Sequence, residues 1–189
     1  MRKSILSIFL LFIGLAVNAQ FNNFDRNQKK VFLDAESFYQ YGDYVTAIKL
    51  YKSIEKSAGD FPEFYYTLAN SYFNLKVYDS AFIYLPKGLS FSNDANYLLA
   101  YIHLYNGELE LAEEKIKLFK TTYDEKKDKI SLEKADRLKD QINYAREIMM
   151  KPEVVNIINL GSKVNSEEAE YGPLISSDET ILSYTSRRE

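Results

Sequence analysis

Few side chains in this 189-residue chain are placed to do covalent chemistry. There is one histidine, His103, and a catalytic imidazole needs a nucleophile or a metal beside it. With no cysteine and no second histidine to supply one, His103 reads as a core or groove residue. Glu167, Glu168 and Glu170 suggest paired acids or calcium ligands, but they lack the spaced Asp/Asn/Gly pattern of a calcium loop and read as a solvated loop. No glycine-rich phosphate cradle occurs. The expectation is a non-enzymatic chain without cofactor or metal. What remains is aromatic surface, since rings make up 15% of the chain, with 16 Tyr and 12 Phe. In three helical stretches, the residues turned away from the packing stripe are Phe32, Glu36 and Tyr39, then Tyr66, Asn70 and Phe73, then Tyr97, Tyr101 and Leu104. A row of rings broken by a carboxylate and an amide marks a groove for a protein or peptide. The alternative is that a neighbouring domain or superhelical packing buries these rings.

The elements that carry this row are set by a beat of alanines. Ala35 and Ala47, Ala69 and Ala81, and Ala100 and Ala112 are pairs twelve residues apart, each with a turn between. The first two pairs repeat at a step of 34 residues and the third follows 31 later. A step near 34 is the period of a helix–turn–helix solenoid. In such an array the first helix of each pair lines the concave face. Gly42 and Gly107 punctuate two of the turns, and Pro62 opens a helix where its missing N–H costs nothing. Pro86 and Gly88 predict a kinked or short helix. Asn93 or Asp94 is expected to cap the next helix. The charged run Asp124–Lys129 reads as a solvated loop, and Ser131 as the cap of a last helix whose apolar stripe closes the array. After Pro152 the composition changes: 154–160, Tyr171–Ile175 and Thr180–Ser186 read as strands.

The first nineteen residues read as an address. Arg2 and Lys3 precede an apolar run from Ile5 to Val17, and Val17-Asn18-Ala19 offers small residues at a cleavage site. The run is too short to span a membrane comfortably. The expected location is the periplasm or the periplasmic face of the outer membrane. Without cysteine there is no lipid anchor and no disulfide. A formal net charge of −3 and the absence of a basic run argue against nucleic acid as a partner. The expected order is a signal peptide over 1–19, a loose N-terminus over 20–27, three repeats over 28–122, a linker and capping helix over 123–151, and a β segment over 152–189.

Residues 28–122 resemble tetratricopeptide repeats. The matches are Ala35, Phe38, Gly42, Tyr44, Ala47 and Tyr51, then Leu68, Ala69, Tyr72, Tyr78 and Ala81, then Ala100, Gly107 and Ala112. The chain departs from the pattern at Lys76, where glycine is usual, at Gly88 and Phe119, where alanine is usual, and in having no tryptophan. Residues 154–189 resemble the opening of a blade in the WD40-like propeller repeats called PD40, through Asn159-Leu160-Gly161, Val164-Asn165-Ser166, Glu170-Tyr171-Gly172-Pro173, Ser177-Asp178 and Tyr184-Thr185-Ser186-Arg187. This order is similar to the N-terminal part of exported proteins that continue into an OmpA-like peptidoglycan-binding domain. Some of those belong to type IX secretion and gliding machinery. The resemblance implies a mainly α fold: a tetratricopeptide-type solenoid of three helix pairs plus a capping helix, followed by an incomplete propeller blade. It also implies a protein partner in the cell envelope, and association with outer-membrane or peptidoglycan complexes through regions beyond this stretch. On this reading the chain is a fragment, since a propeller needs several blades of four strands; otherwise its tail pairs with something else. A structural spacer for a distal domain is the alternative role.

Overall fold

Six alanines sit inside three helix pairs, and none of Ala35, Ala47, Ala69, Ala81, Ala100 and Ala112 has exposed surface. A methyl at these positions lets two helices come close while larger side chains fill around them. The computed structural model describes residues 24–151 and 156–188. The first pair is α1 (Arg26–Gln40) and α2 (Tyr44–Ile54), followed by a 3-10 turn at Glu55–Ser57. The second is α3 (Pro62–Asn74) and α4 (Tyr78–Gly88), and the third is α5 (Asp94–Tyr105) and α6 (Leu109–Thr121). A longer helix, α7 (Leu132–Met150), packs on α6. Most of the early arrival of the third repeat comes from the α4–α5 link, 89–93, which is shorter than the α2–α3 link, 55–61, with its 3-10 turn. The fold is mainly α, a tetratricopeptide-type solenoid of three pairs and a closing helix, with a short antiparallel sheet after it.

Two apolar clusters hold the array. One runs from Phe24 through the first two pairs to Ile102, and the other joins α5, α6 and α7 around Ile116, Phe119, Leu138 and Ile142. Phe24 corrects an expectation, because 24–27 are part of the packed unit rather than a loose N-terminus. Its ring is 4% exposed and meets Phe32, Phe61 and Phe64 at 6.0–6.3 Å between centroids. Asp25 then caps α1, accepting from the Gln28 N–H at 2.8 Å, while the Gln28 side chain accepts from the Asp25 N–H at 3.0 Å. The proposed leader, Met1–Ala19, and residues 20–23 lie outside the described residues, as do 152–155.

Each pair turns through the same backbone motif. In the first, the Asp43 N–H reaches the Phe38 carbonyl and the Gly42 N–H the Tyr39 carbonyl; the second and third repeat this at Val77/Lys76 and Glu108/Gly107. This double bond pattern satisfies carbonyls at a helix end and needs a left-handed residue. Glycine supplies it at Gly42 (φ 80) and Gly107 (φ 77), but the second turn uses Lys76 at φ 61. A side chain there costs about 1–2 kcal/mol. Gly88 is a different case. A Cβ on it would stand 2.8 Å from Tyr66 Cα and Cβ, so the end of α4 lies directly on the α3 backbone. That close approach explains why glycine stands where alanine is usual. The expected shortening at Pro86 does not occur: α4 runs through it to Gly88 and has the same 11 residues as α2.

The chain divides at Met150/Lys151 into two compact units. In the second, β1 (Glu170–Ile175) pairs antiparallel with β2 (Leu182–Ser186), with Glu170 opposite Ser186 and Ile175 opposite Leu182. An irregularity between Tyr171 and Leu174 falls at Gly172, whose φ is 57, and Pro173. The strand expected over 154–160 is absent from its described part, 156–160. Asn159 Oδ1 instead accepts from the Gly161 N–H at 2.7 Å and from Asn165 at 2.8 Å, and such local side-chain bonds compete with a ladder. Glu170 is not part of a solvated loop either, since it opens β1 and meets Arg188 at 3.3 Å.

Two substitutions test this packing. Lys76→Gly should raise unfolding stability by up to about 1 kcal/mol by relieving the left-handed side chain. Gly88→Ala should lower it by about 1–3 kcal/mol through overpacking. Denaturant midpoints at constant m-value check both.

Candidate binding groove

The first helices of the second and third pairs, α3 and α5, and the closing helix α7 line one open groove of about 670 Å³. One wall is aromatic. Phe73 on α3, Tyr78 at the start of α4 and Tyr101 on α5 form a triangle with ring centroids 5.2–5.8 Å apart, and Tyr105 meets Tyr78 at 4.8 Å with its ring tilted. Tyr97 extends the wall, braced by Phe119 at 5.9 Å. Edge and tilted ring pairs add about 0.5–1.5 kcal/mol each beyond burial, which holds the rings in place. Tyr66 and Tyr44 complete the aromatic lining, and Asn70 and Asn74 put amides among the rings.

The opposite wall carries charge. Lys129, Lys134, Arg137 and Gln141 line it from α7 and the link before it; Lys76 also lines the groove, from the α3–α4 turn between Phe73 and Tyr78. Lys134, Arg137 and Gln141 are three and four residues apart, so a single face of α7 presents them. Buried at the groove's base is Asp94, which is 1% exposed. It accepts from the backbone N–H of Lys129 at 3.0 Å and of Ile130 at 3.2 Å, which pins the link that leads into α7. Asn93 works beside it, donating to the Phe119 carbonyl at 3.0 Å and to Asp128 at 3.2 Å while accepting from Thr122 at 2.8 Å. Asn93 holds the N-cap position of α5, as the sequence suggests, but its side chain makes no capping bond, and the Asp94 N–H finds Ser92 Oγ at 3.2 Å. The run 124–129, read as a solvated loop, is thus tied to the third pair by Asp94 and Asn93.

Five of the nine expected groove residues line it: Tyr66, Asn70, Phe73, Tyr97 and Tyr101. Tyr66 does so with only 3% of its surface exposed, and burial pushes its phenol well up. Phe32 is a correction. At 2% exposure it belongs to the core, 5.1 Å from Phe61 and 6.1 Å from Tyr51. Glu36 is half-buried on α1 and accepts from the Tyr51 hydroxyl, and Leu104 packs on the second apolar cluster; neither lines the groove. Tyr39 stands behind the lining: its hydroxyl accepts from Asn70 at 2.7 Å and its ring meets Tyr44 edge-on at 6.0 Å. Burial pushes the Tyr39 phenol up to about 12 and also raises Tyr78 and Tyr97, so these hydroxyls stay neutral across the physiological range. His103 is buried in α5, with Nδ1 2.6 Å from Glu108 and its ring edge-on to Phe82 at 5.4 Å. Among the described residues no three His, Cys, Asp or Glu side chains stand together as a metal set. Sequence reasoning missed the charged wall, although the i, i+3, i+7 spacing of Lys134, Arg137 and Gln141 could have revealed it.

Burial raises the Glu36 carboxyl above its ordinary 4.5, against the opposing hydrogen bonds from Tyr51 and Thr67. A carboxyl raised in the folded chain stabilises it while protonated, and that contribution is lost as pH rises through the folded value. Glu36→Gln, which keeps an acceptor for Tyr51, should therefore raise the thermal midpoint at pH 7. The gap should narrow as pH falls toward 4.5, and parallel melting curves between those limits check it.

No protein-family model matches the chain, and no curated protein sequence matches it. Solved structures do. The type III secretion chaperone SycD of Yersinia enterocolitica, solved in complex with a peptide of the translocator YopD, is 18% identical with a TM-score of 0.53, covering 68% of this chain and 98% of that one. The Sgt2 TPR domain of Aspergillus fumigatus is 14% identical with a TM-score of 0.52, covering 74% of this chain and 95% of that one. At these identities the likeness is one of fold, and the fold is the tetratricopeptide solenoid.

Proposed function

We propose that this chain is a non-enzymatic exported scaffold whose solenoid holds a segment of a protein partner in the groove between α3, α5 and α7. The observation that carries the reading is the groove itself: ordered rings on one wall, hydrogen-bonding amides between them and cations on the other, in a space of about 670 Å³. Rings fixed by their neighbours lose little entropy on binding, and clustered aromatics dominate interface energies. The SycD fold neighbour holds a peptide, which supports the same use of the fold here. Export rests on the pattern of Arg2, Lys3, the apolar run and Ala19, and supports a partner in the cell envelope. The PD40 resemblance supports a setting in an outer-membrane secretion or motility assembly of the type IX kind.

A second reading is favoured by one observation on the hairpin. Leu174, Ile175 and Ile181 are 65–71% exposed, and a two-stranded sheet with bare apolar residues is a partial structure. It supports a sheet that continues, as in a propeller blade, with the repeats acting as a spacer for it.

The pair Tyr97→Ala and Tyr101→Ala should cut partner recovery from an envelope fraction by about tenfold or more, the usual effect of losing aromatic hot spots. Helical circular dichroism should be kept. Recovery equal to wild type by a folded variant would rule the groove out.

A further inference from the structure

We infer that the groove takes an acidic segment: an extended stretch of a partner chain with Asp or Glu side chains facing α7 and apolar side chains facing the rings. This rests on the groove reading above and deepens it. The chain as a whole carries more acid than base, 27 Asp and Glu against 24 Lys and Arg. The groove reverses that balance, with Lys76, Lys129, Lys134 and Arg137 against one carboxylate. That carboxylate, Asp94, is buried and occupied by two backbone N–H donors, so it does not compete for a ligand's place.

The cations are also lightly engaged, Lys129 through its attraction to the buried Asp94. Among the described residues Lys76, Lys129 and Lys134 have no ion pair, and Arg137 pairs only with Glu133, both of them more than 60% exposed. An exposed pair of that kind is worth little and yields readily to a better partner. Glu36 lies within electrostatic reach of Lys129 but is held by the Tyr51 hydroxyl and stays off the groove lining.

Lys76 makes a separate argument. Two of the three inter-helix turns put glycine at the left-handed position, and the third puts a lysine there at φ 61, at a cost to the fold. Strain retained at one copy of a repeated motif points to a use for the side chain, and this side chain lines the groove. Lys129, Lys134 and Arg137 face neutral phenols and rings across the groove, with Lys76 at the edge of the rings. That matches a segment that alternates acidic and apolar residues, which an extended chain presents to opposite sides.

The test is selection of random twelve-residue peptides, displayed with their C-termini fused so that only side-chain carboxylates are offered, against the purified full chain. Wild type should enrich Asp and Glu together with aromatic or aliphatic residues. A Lys134→Glu, Arg137→Glu variant should enrich Lys and Arg instead, and should bind the wild-type peptides about tenfold more weakly. Lys76→Gly, which should fold more stably, should still bind those peptides more weakly, with a shallower salt dependence. Neutral or basic peptides that depend on Tyr97 and Tyr101 would overturn the acidic class and leave the groove standing. Failure to enrich any peptide, or enrichment indifferent to both sets of variants, would overturn the acidic class and the groove together.

Discussion

The placement of α7 depends on a small polar knot at the start of α5. Asp94 is removed from water and takes the N–H groups of Lys129 and Ile130, while Asn93 ties Phe119, Thr122 and Asp128 together. Hydrogen bonds to a charged acceptor contribute about 1.5–3 kcal/mol each, and leaving such a buried group unmet costs as much again. The knot therefore fixes where the link ends and where the next helix begins. Apolar contacts of Leu138 and Ile142 with the second cluster could be made by a helix that merely sealed the end of the array. The knot brings Lys129 to the groove beside the tyrosines of α5, and α7 continues that wall. A terminal helix becomes one side of the groove.

The repeat architecture was legible from spacing because each requirement falls on its own residue. Small side chains are needed inside each pair, and the six alanines supply them. A left-handed residue is needed at each turn, and two glycines mark it. The groove was legible in part. Helix α3 is buried continuously from Phe64 to Ala69, so no period distinguishes an inner from an outer face there. Tyr66 could be placed in the groove but not recognised as core. Phe32 was misplaced for a related reason. Its outer side is covered by Phe24, which comes from a stretch whose polar neighbours gave no sign of packing. The spacing of Lys134, Arg137 and Gln141 marks one face of α7, but nothing local shows that this face meets the rings, because the Asp94 and Asn93 bonds that hold the preceding link to the third pair span 26–36 residues.

The departures from the tetratricopeptide pattern sort into two kinds. Gly88 and Phe119 are packing solutions: one lets α4 rest on Tyr66, and the other braces Tyr97 and accepts from Asn93. Lys76 has no such packing role and sits on the groove. The two apolar clusters hold the solenoid together, and the groove gathers side chains that neither cluster needs for its packing. The hairpin beyond Met150 is a second unit with its own pairing and its own uncovered apolar residues.

The most direct measurement of the central claim is backbone amide chemical-shift mapping of the chain during titration with an acidic, aromatic-bearing peptide. Occupation of the groove predicts the largest shifts at Asn70, Tyr97, Tyr101 and Arg137, with Val45 on α2, Ile83 on α4 and Leu111 on α6, exposed on the second helices of the pairs and absent from the groove lining, unchanged. Shifts centred on Val45, Ile83 and Leu111, or saturable binding that leaves the groove residues unmoved, would contradict it.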